Sequence, residues 1–514
     1  MCIRDRFEGS AGVVGSAGAS GQRNIEAERE ILAEVHRQWP DQAREDTLVF
    51  EGVEAAQFTA EVLPQLEASP LIEVSVFGTR PDYVHIEGTP NVSAVVNERN
   101  DWFDLAMSVH VGERELPFAT VFTALARGED AVLMPDKSYI TLDHPVFDKL
   151  RDLIREATVL QEWTPTKQRI DKHQVDQFKA LEDIADSIEG DTEWFERIRG
   201  LAQAEELPTA ALPKGLHATL RDYQREGFQW LSFLYDAGLG GILADDMGLG
   251  KTVQTLALIA HARETAAGEE AEPPADTSAP ASTDHPAGAD SVTGTSAPFL
   301  VVAPSSVVSV WQAEAARFTP GLDVRVMNQT SKKRGTSLEQ ARSGADVIVT
   351  SYTLMRRDSE EYTALPWAGA VFDEAQAIKN RQSKGFAAAS KIQAPFRLVI
   401  TGTPMENALA DFWSLLRIAV PGLMGAYRRF NQEFAKPIES GEAPERMLLL
   451  RRTVRPFMLR RTKELVAKDL PAKQESIISV ELTPAHSRAS TRCCSVSAKR
   501  FCGCWTTWML MATG

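Results

Sequence analysis

"GILADDMGLGKTVQTLALI", residues 241–259, runs from an apolar segment through two glycines to Lys251 and Thr252 and on into a helical pattern. A strand, a glycine-rich turn and a helix start gather backbone N–H groups and a helix N-terminus around one anion. Gly248 and Gly250 permit the tight turn and a close approach of backbone to ligand. Lys251 brings a point charge for the β and γ phosphates of a nucleotide, and Thr252 a hydroxyl for Mg²⁺. The strict pattern G-x-x-x-x-G-K-[ST] asks for glycine where Asp245 stands. A glycine-rich turn with an incidental Lys-Thr would look the same over these few residues.

A second stretch narrows the choice. "AVFDEAQAIKN", residues 370–380, places Asp373 and Glu374 just after an apolar run. Asp373 is suited to hold Mg²⁺, directly or through water, and Glu374 to orient or deprotonate an attacking water. A lone Asp-Glu pair is ordinarily a solvated turn; after a buried strand, and about 120 residues beyond a phosphate loop, it is far more specific. A third stretch, "LVITGTPMEN", again follows a strand pattern. Its Thr401, Gly402 and Thr403 offer hydroxyls and N–H groups suited to sensing a γ-phosphate. Lys251, Asp373 and Glu374 are thus the expected catalytic residues, with Thr252 and Asp373 at the metal.

Around these motifs, "GGILAD", "FLVVAP", "DVIVTSY", "AVFDEA" and "RLVITGTP" are nearly continuous apolar strands separated by helical patterns. That alternation predicts a parallel, doubly wound α/β sheet with helices on both faces, over residues 215–420. Residues 264–298 interrupt it with Pro, Ala, Thr, Ser and seven acids and no Lys or Arg, and read as a disordered insertion. Upstream, residues 24–204 alternate half-buried strands ("LIEVSVFG", "DYVHIEG", "VSAVVNE", "FDLAMSVHV", "SYITLD") with helices. The helices are "LPFATVFTALARG", ended by Gly128, then "HPVFDKLRDLIREATVLQEW" and "HQVDQFKALEDIADSIEG". This is an α+β accessory domain without a catalytic constellation. Residues 1–23, rich in Gly, Ala and Ser, read as disordered or artefactual.

Taken in order, the motifs resemble those of the SWI/SNF family of helicase-like, double-strand DNA translocases, over residues 216–482. "LRDYQREGFQWL" resembles the family's adenine-reading motif, "LVVAPSSVVSVWQAE" and "VTSYTLMRRD" its next strand motifs, and "MLRRTKELVAKDLPAKQE" completes the series. The family writes its phosphate loop D-[DE]-M-G-L-G-K-T, so Asp245 fits that pattern. The resemblance implies a RecA-like first motor lobe that binds ATP and Mg²⁺. It implies that Gln224 hydrogen-bonds the adenine edge while Arg221 and Tyr223 shape the pocket. It also implies that Ser305, Ser306, Thr350 and Ser351 touch phosphates of a DNA strand, as suits contact without base reading. Gln376 departs from the family, where many members have His; beside the carboxylates it is expected to tune coupling, together with Thr401, Gly402 and Thr403. Residues 24–200 more loosely resemble the helicase-associated region that precedes the motor in bacterial members, on "NDWFDLAMSVHVGERELPF" and "LARGEDAVLMPDKSYITLD".

The chain of 514 residues carries a formal charge of −16, which argues against coating nucleic acid with bulk positive charge but leaves room for a basic groove. No apolar run reaches the ~18 residues of a membrane helix, and no secretory segment opens the chain, so a cytoplasmic location is the expectation. Of the five cysteines, Cys2 stands in "MCIRDR" and four crowd into "CCSVSAKRFCGC". Adjacent or C-x-C pairs make a poor zinc clamp, so no structural zinc is expected. Residues 483–514 read as an out-of-frame tail, with an unusual metal tail or a disulfide as the alternatives.

A motor of this type needs a second RecA-like lobe to supply arginine fingers, and no second-lobe motif is present. Residues 421–482 read as a helical, basic connector, in which Arg451, Arg452, Arg455, Arg460 and Arg461 face DNA or another lobe, or form a solvated basic face. The expectation is therefore the ATP-binding half of a double-stranded-DNA translocase that remodels protein–DNA complexes, deficient in turnover by itself. RNA polymerase or another DNA-bound protein is its target by family analogy alone. Two rivals stay open: a strand-separating or RNA-dependent helicase, and a non-motor module switched by ATP.

Overall fold

The computed structural model describes residues 49–68, 74–98, 102–161, 163–190, 209–269, 297–405 and 408–466, with short pieces at 2–3, 9–13 and Ala33. The expected insertion beyond Glu269 and the expected tail at 483–514 lie outside the described residues. Contacts divide the chain into two compact units, Met1–Ile170 with Ala180–Asp191, and Asp171–Lys179 with Thr192–Gly514.

The first unit is α+β. Its long hairpin pairs Pro90–Glu98 antiparallel with Trp102–Val111, from Pro90 opposite Val111 to Glu98 opposite Phe103. Val92, Ala94 and Val96 alternate inward with Phe103, Leu105, Met107, Val109 and Val111, the period of two that a half-buried sheet requires. The helix Phe118–Arg127 ends as expected on Gly128, whose left-handed conformation costs glycine nothing. The helix Pro145–Gln161 also forms where its apolar spacing places it. Two expectations are corrected. The pattern "HQVDQFKALEDIADSIEG" does not stay helical: Val175–Glu182 is helix, and Ser187–Glu189 becomes a strand parallel to Pro90–Glu98. Sheet pairing there overrides helical spacing that is too short to hold a further turn. The expectation of disorder over residues 1–23 fails at Gly9–Val13, which pairs antiparallel with Val74–Gly78 and gives that strand's backbone groups a partner.

The second unit is the predicted parallel α/β sheet. Its strands are β1 (Gly241–Leu243), β2 (Phe299–Ala303), β3 (Val324–Met327), β4 (Val347–Ser351), β5 (Gly369–Phe372), β6 (Phe396–Ile400) and β7 (Met458–Leu459). They lie in the order β3-β4-β2-β5-β6-β1-β7, with every pairing parallel. Every residue of β1, β2, β4 and β5 is buried, which explains why these strands read as apolar runs without alternation.

The main helices are α1 (Asp222–Asp236), α2 (Lys251–Glu269), α3 (Val308–Phe318), α4 (Leu409–Ala419) and α5 (Pro444–Val454). α1 buries Phe228, Leu231 and Leu234 at three-residue spacing and packs on α2. α2 runs into the stretch expected as insertion, which therefore starts later than residue 264. The lobe also extends past its expected end at 420: β7 comes from the basic connector and docks beside β1, with Met458 opposite Ile242 and Leu459 opposite Leu243.

Candidate nucleotide-binding site

All strands of a parallel sheet point the same way, so the turns leaving β1, β5 and β6 open at one edge, where such folds bind ligands. The β1 turn carries the phosphate loop. Gly248 (φ 86°) and Gly250 (φ 79°) are left-handed, a conformation that any side chain would strain. A Cβ on Gly250 would also run into the Gln224 amide nitrogen. Lys251 opens α2, and its Nζ donates to the carbonyls of Asp245 (2.7 Å) and Asp246 (3.3 Å). Burial pushes the Lys251 ammonium below its ordinary pKa, while the carboxylates of Glu374, Asp245, Asp373 and Asp246 pull it back up. Those carboxylates therefore share the neighbourhood of Lys251. Thr252 follows it on the first turn of α2, partly buried.

The β5 turn supplies the acids. Asp373 is 7% exposed; its Oδ2 accepts from Trp311 Nε1 at 2.8 Å and its Oδ1 from the Glu374 amide at 2.9 Å. Its own N–H donates to Val302 O and its carbonyl accepts from the Tyr352 hydroxyl, both at 2.8 Å, so backbone and side chain are held on every side. Burial raises the Asp373 carboxyl above the ordinary range; the hydrogen bond from Trp311 acts against it, and the neighbouring Glu374 adds to it. Glu374 sits at φ 47°, ψ 53°, the left-handed region that a non-glycine residue adopts at a cost of ~1–3 kcal/mol. That turn aims its carboxylate at Gln376, whose Nε2 donates to Glu374 Oε2 at 2.8 Å.

Gln376 also reaches the third motif. Its Oε1 accepts from the Thr401 hydroxyl at 3.3 Å, and that hydroxyl in turn accepts from the Thr403 amide at 3.1 Å. A Cβ on Gly402 would stand 3.4 Å from Met247 of the phosphate loop. One continuous path thus joins Glu374, Gln376 and Thr401 to the loop after β6. At the start of α1, Gln224 Oε1 accepts from the Arg221 amide at 3.0 Å. Its Nε2 donates to Leu249 O at 3.2 Å and lies 3.4 Å from the Tyr223 hydroxyl. Gln224 therefore borders the phosphate loop directly, with Arg221 and Tyr223 bonded to it.

The four hydroxyls expected to touch DNA separate into two pairs. Ser305 and Ser306 are exposed just beyond β2. Thr350 is fully buried, with its hydroxyl accepting from Tyr362 OH at 3.0 Å and facing Met327 O at 3.5 Å. Ser351 is 6% exposed, and its Oγ accepts from the Leu354 amide as a helix cap. The hydroxyls of Thr350 and Ser351 are thus engaged within the lobe, while those of Ser305 and Ser306 stay open to solvent.

Arg461 was the least anticipated residue. Instead of facing solvent, it is 8% exposed and grips the fully buried Asp245. Its Nε and backbone N–H both donate to Asp245 Oδ1 at 3.0 Å, and its Nη2 to Asp245 Oδ2 at 2.5 Å. Nη2 also donates to Gln254 Oε1 at 2.9 Å, and Nη1 to the Tyr223 carbonyl. A Cβ on Gly227 of α1 would overlap the Gln254 amide, so glycine there makes room for the network. The signal in the sequence was Asp245 itself: a carboxylate at the end of an apolar strand demands a buried cation. Trp311, Gln254 and Tyr352 carried no comparable signal, since their partners come from other elements.

The donor set fits Mg·ATP. Hydroxyl and carboxylate oxygens are hard ligands suited to Mg²⁺, and loop amides with a buried ammonium suit phosphates. The model of the SNF2-related domain matches residues 223–501, more than half of the chain. The chain belongs to that family. It is 36% identical over 280 residues to the putative ATP-dependent helicase/translocase YwqA of Bacillus subtilis, covering 54% of this chain and 27% of that protein. It is 33% identical over 287 residues to the chromatin-remodeling ATPase INO80 of Schizosaccharomyces pombe, covering 53% of this chain and 16% of that protein. The chain thus spans about a quarter or less of the length of these curated relatives. Among solved structures, it resembles the Sulfolobus solfataricus SWI2/SNF2 ATPase core in complex with dsDNA, with 33% identity and a TM-score of 0.41 over 60% of this chain and 58% of that one. The phosphate loop, the Asp373–Glu374 turn and the Thr401 turn all fall inside the SNF2-related match. Among the described residues, no helix is long and apolar enough to cross a membrane, and no three or more His, Cys, Asp or Glu side chains are grouped so as to hold a metal ion.

Proposed function

We propose that this chain is the ATP-binding half of a double-stranded-DNA translocase that hydrolyses ATP to remodel protein–DNA complexes. One observation carries the reading: Lys251 opens a helix after a glycine turn with its ammonium on the Asp245 and Asp246 carbonyls, and Gln376 ties Glu374 onward to Thr401. In this reading the loop amides from Gly248 to Thr252 and the Lys251 ammonium hold the β and γ phosphates. Thr252 and Asp373 hold Mg²⁺, which neutralises charge developing on the transferred phosphoryl group. Glu374 orients the attacking water and accepts its proton. Thr401, Gly402 and Thr403 respond to the γ-phosphate, and Gln376 passes that state back to Glu374. Arg221, Tyr223 and Gln224 receive the adenine, and Ser305 and Ser306 contact the backbone of a duplex. A second lobe supplies arginines worth about 10³–10⁵ in rate in comparable systems, so this chain by itself binds Mg·ATP weakly and turns it over barely. The remodelled partner is a DNA-bound protein.

The test is steady-state ATP hydrolysis with and without duplex DNA, alongside photocrosslinking of labelled ATP, for the wild-type chain and Lys251→Ala. Crosslinking that depends on Lys251, with little turnover in either chain, is the expected result. Equal crosslinking in both chains would remove the nucleotide site. Strong duplex-stimulated turnover by the wild-type chain alone would refute the need for a second lobe, and stimulation by single strands or RNA would favour strand separation.

A further inference from the structure

We propose that residues 458–463 are a clamp on the nucleotide loop and that Arg461 is a positioning residue for Mg·ATP, acting through Asp245. The inference rests on the reading of Gly248–Thr252 as a nucleotide site and adds what holds that site in shape.

The loop between β1 and α2 is fastened from one side by a single short segment. Ala244 N donates to Leu459 O at 2.7 Å, and Asp246 N to Arg461 O at 3.0 Å. In return, Arg461 N donates to Asp245 Oδ1 and Lys463 N to Asp246 Oδ2, each at 3.0 Å. The guanidinium closes a fork on Asp245, the residue standing where a simple phosphate loop has glycine. A fork of this geometry fixes the direction of the carboxylate as well as its charge, which an ammonium cannot do. The carbonyls of Asp245 and Asp246 are the same two that accept from Lys251. The clamp therefore sets where the Lys251 ammonium rests. Arg461 also reaches the Tyr223 carbonyl and Gln254, so it joins the expected adenine side and the first turns of α2 to the same point.

This arrangement is open to release. β7 has two residues and pairs in the sheet with β1 alone, so few backbone bonds retain it. Its partner on β1 lies more than 200 residues earlier, so this pairing joins the last described strand of the lobe to its first. Linkage then requires reciprocity: if the docked clamp favours Mg·ATP, bound Mg·ATP must favour the docked clamp by the same factor.

Hydrogen exchange on the wild-type chain tests this without any substitution, by following the amides of residues 244–252 and of Arg461 and Lys463 with and without Mg·ATP. The proposal expects both segments to slow together. Protection of residues 244–252 with no change at Arg461 and Lys463 would overturn it, leaving the nucleotide site intact. Protection of neither segment, with Mg·ATP binding unaffected by Lys251→Ala, would remove the nucleotide-site reading and the clamp with it. A second arm is Arg461→Lys, which keeps a cation but loses the fork; we expect Mg·ATP affinity to fall at least tenfold with far-UV circular dichroism unchanged. A folded Arg461→Lys chain that binds Mg·ATP like the wild type would also overturn the proposal.

Discussion

Replacing Trp311 with Phe removes one donor from Asp373 and leaves an aromatic ring in place. Trp311 is 1% exposed and its Nε1 lies 2.8 Å from Asp373 Oδ2, so no solvent stands ready to replace the bond. A hydrogen bond to an ionised group contributes about 1.5–3 kcal/mol. The smaller ring gives up roughly two buried carbon-sized groups, about 1.5 kcal/mol at ~0.8 kcal/mol each. The two losses depend differently on pH. Burial already holds the Asp373 carboxyl above its ordinary pKa, so the folded chain binds that proton more tightly than the unfolded chain. Stability contributed by Asp373 is therefore fullest below about pH 3.9, the ordinary Asp value, and declines as pH rises through the elevated folded value. Losing the Trp311 donor raises the folded value further and deepens that decline, while the packing loss stays constant. Trp311→Phe should cost about 1.5 kcal/mol towards the acid limit and about 3–4.5 kcal/mol near neutral pH. Urea unfolding of both chains from about pH 4.5 to 8 measures the gap between them, and the lower limit for Mg·ATP binding should shift upward in the same variant. A gap that stays constant with pH would refute the reasoning, because the hydrogen bond would then not be supporting the ionised carboxylate.

Thr350→Val should destabilise the lobe by about 1–3 kcal/mol, by leaving the buried Tyr362 hydroxyl unpaired, and should leave duplex affinity unchanged. Ser305→Ala with Ser306→Ala should do the reverse, and a filter-binding titration beside thermal unfolding separates the two. Gly240→Ala would drive a Cβ into the carbonyls of Ala419 and Arg397, backbone atoms that cannot step aside. A loss of about 1–3 kcal/mol in chemical denaturation is expected, and an unchanged midpoint would show that the β1 entrance is looser than its geometry implies.

The sequence by itself determined the parallel α/β sheet and the chemical groups of the nucleotide site. Buried parallel strands must be apolar throughout, and loops that cradle phosphate must be rich in glycine, so both leave local marks. Lys251, Thr252, Asp373, Glu374 and Thr401 stand out in the sequence because they lie in or at the end of the turns that leave three strands, β1, β5 and β6. What the tertiary structure decided were the relations between distant segments. Met458–Leu459 looked like part of a basic connector, because a two-residue strand carries almost no periodic signal; it becomes a strand by lying beside β1. Arg461 looked like one more cation in an arginine run facing DNA, another lobe or solvent, and became the buried partner of Asp245. Thr350 and Ser351 looked like surface hydroxyls at a strand end, and turned inward to Tyr362 and a helix start. For Arg461, Thr350 and Ser351 the deciding term is desolvation. A charge or hydroxyl taken out of water must find its partner wherever the chain brings one, and the local sequence does not record where that is.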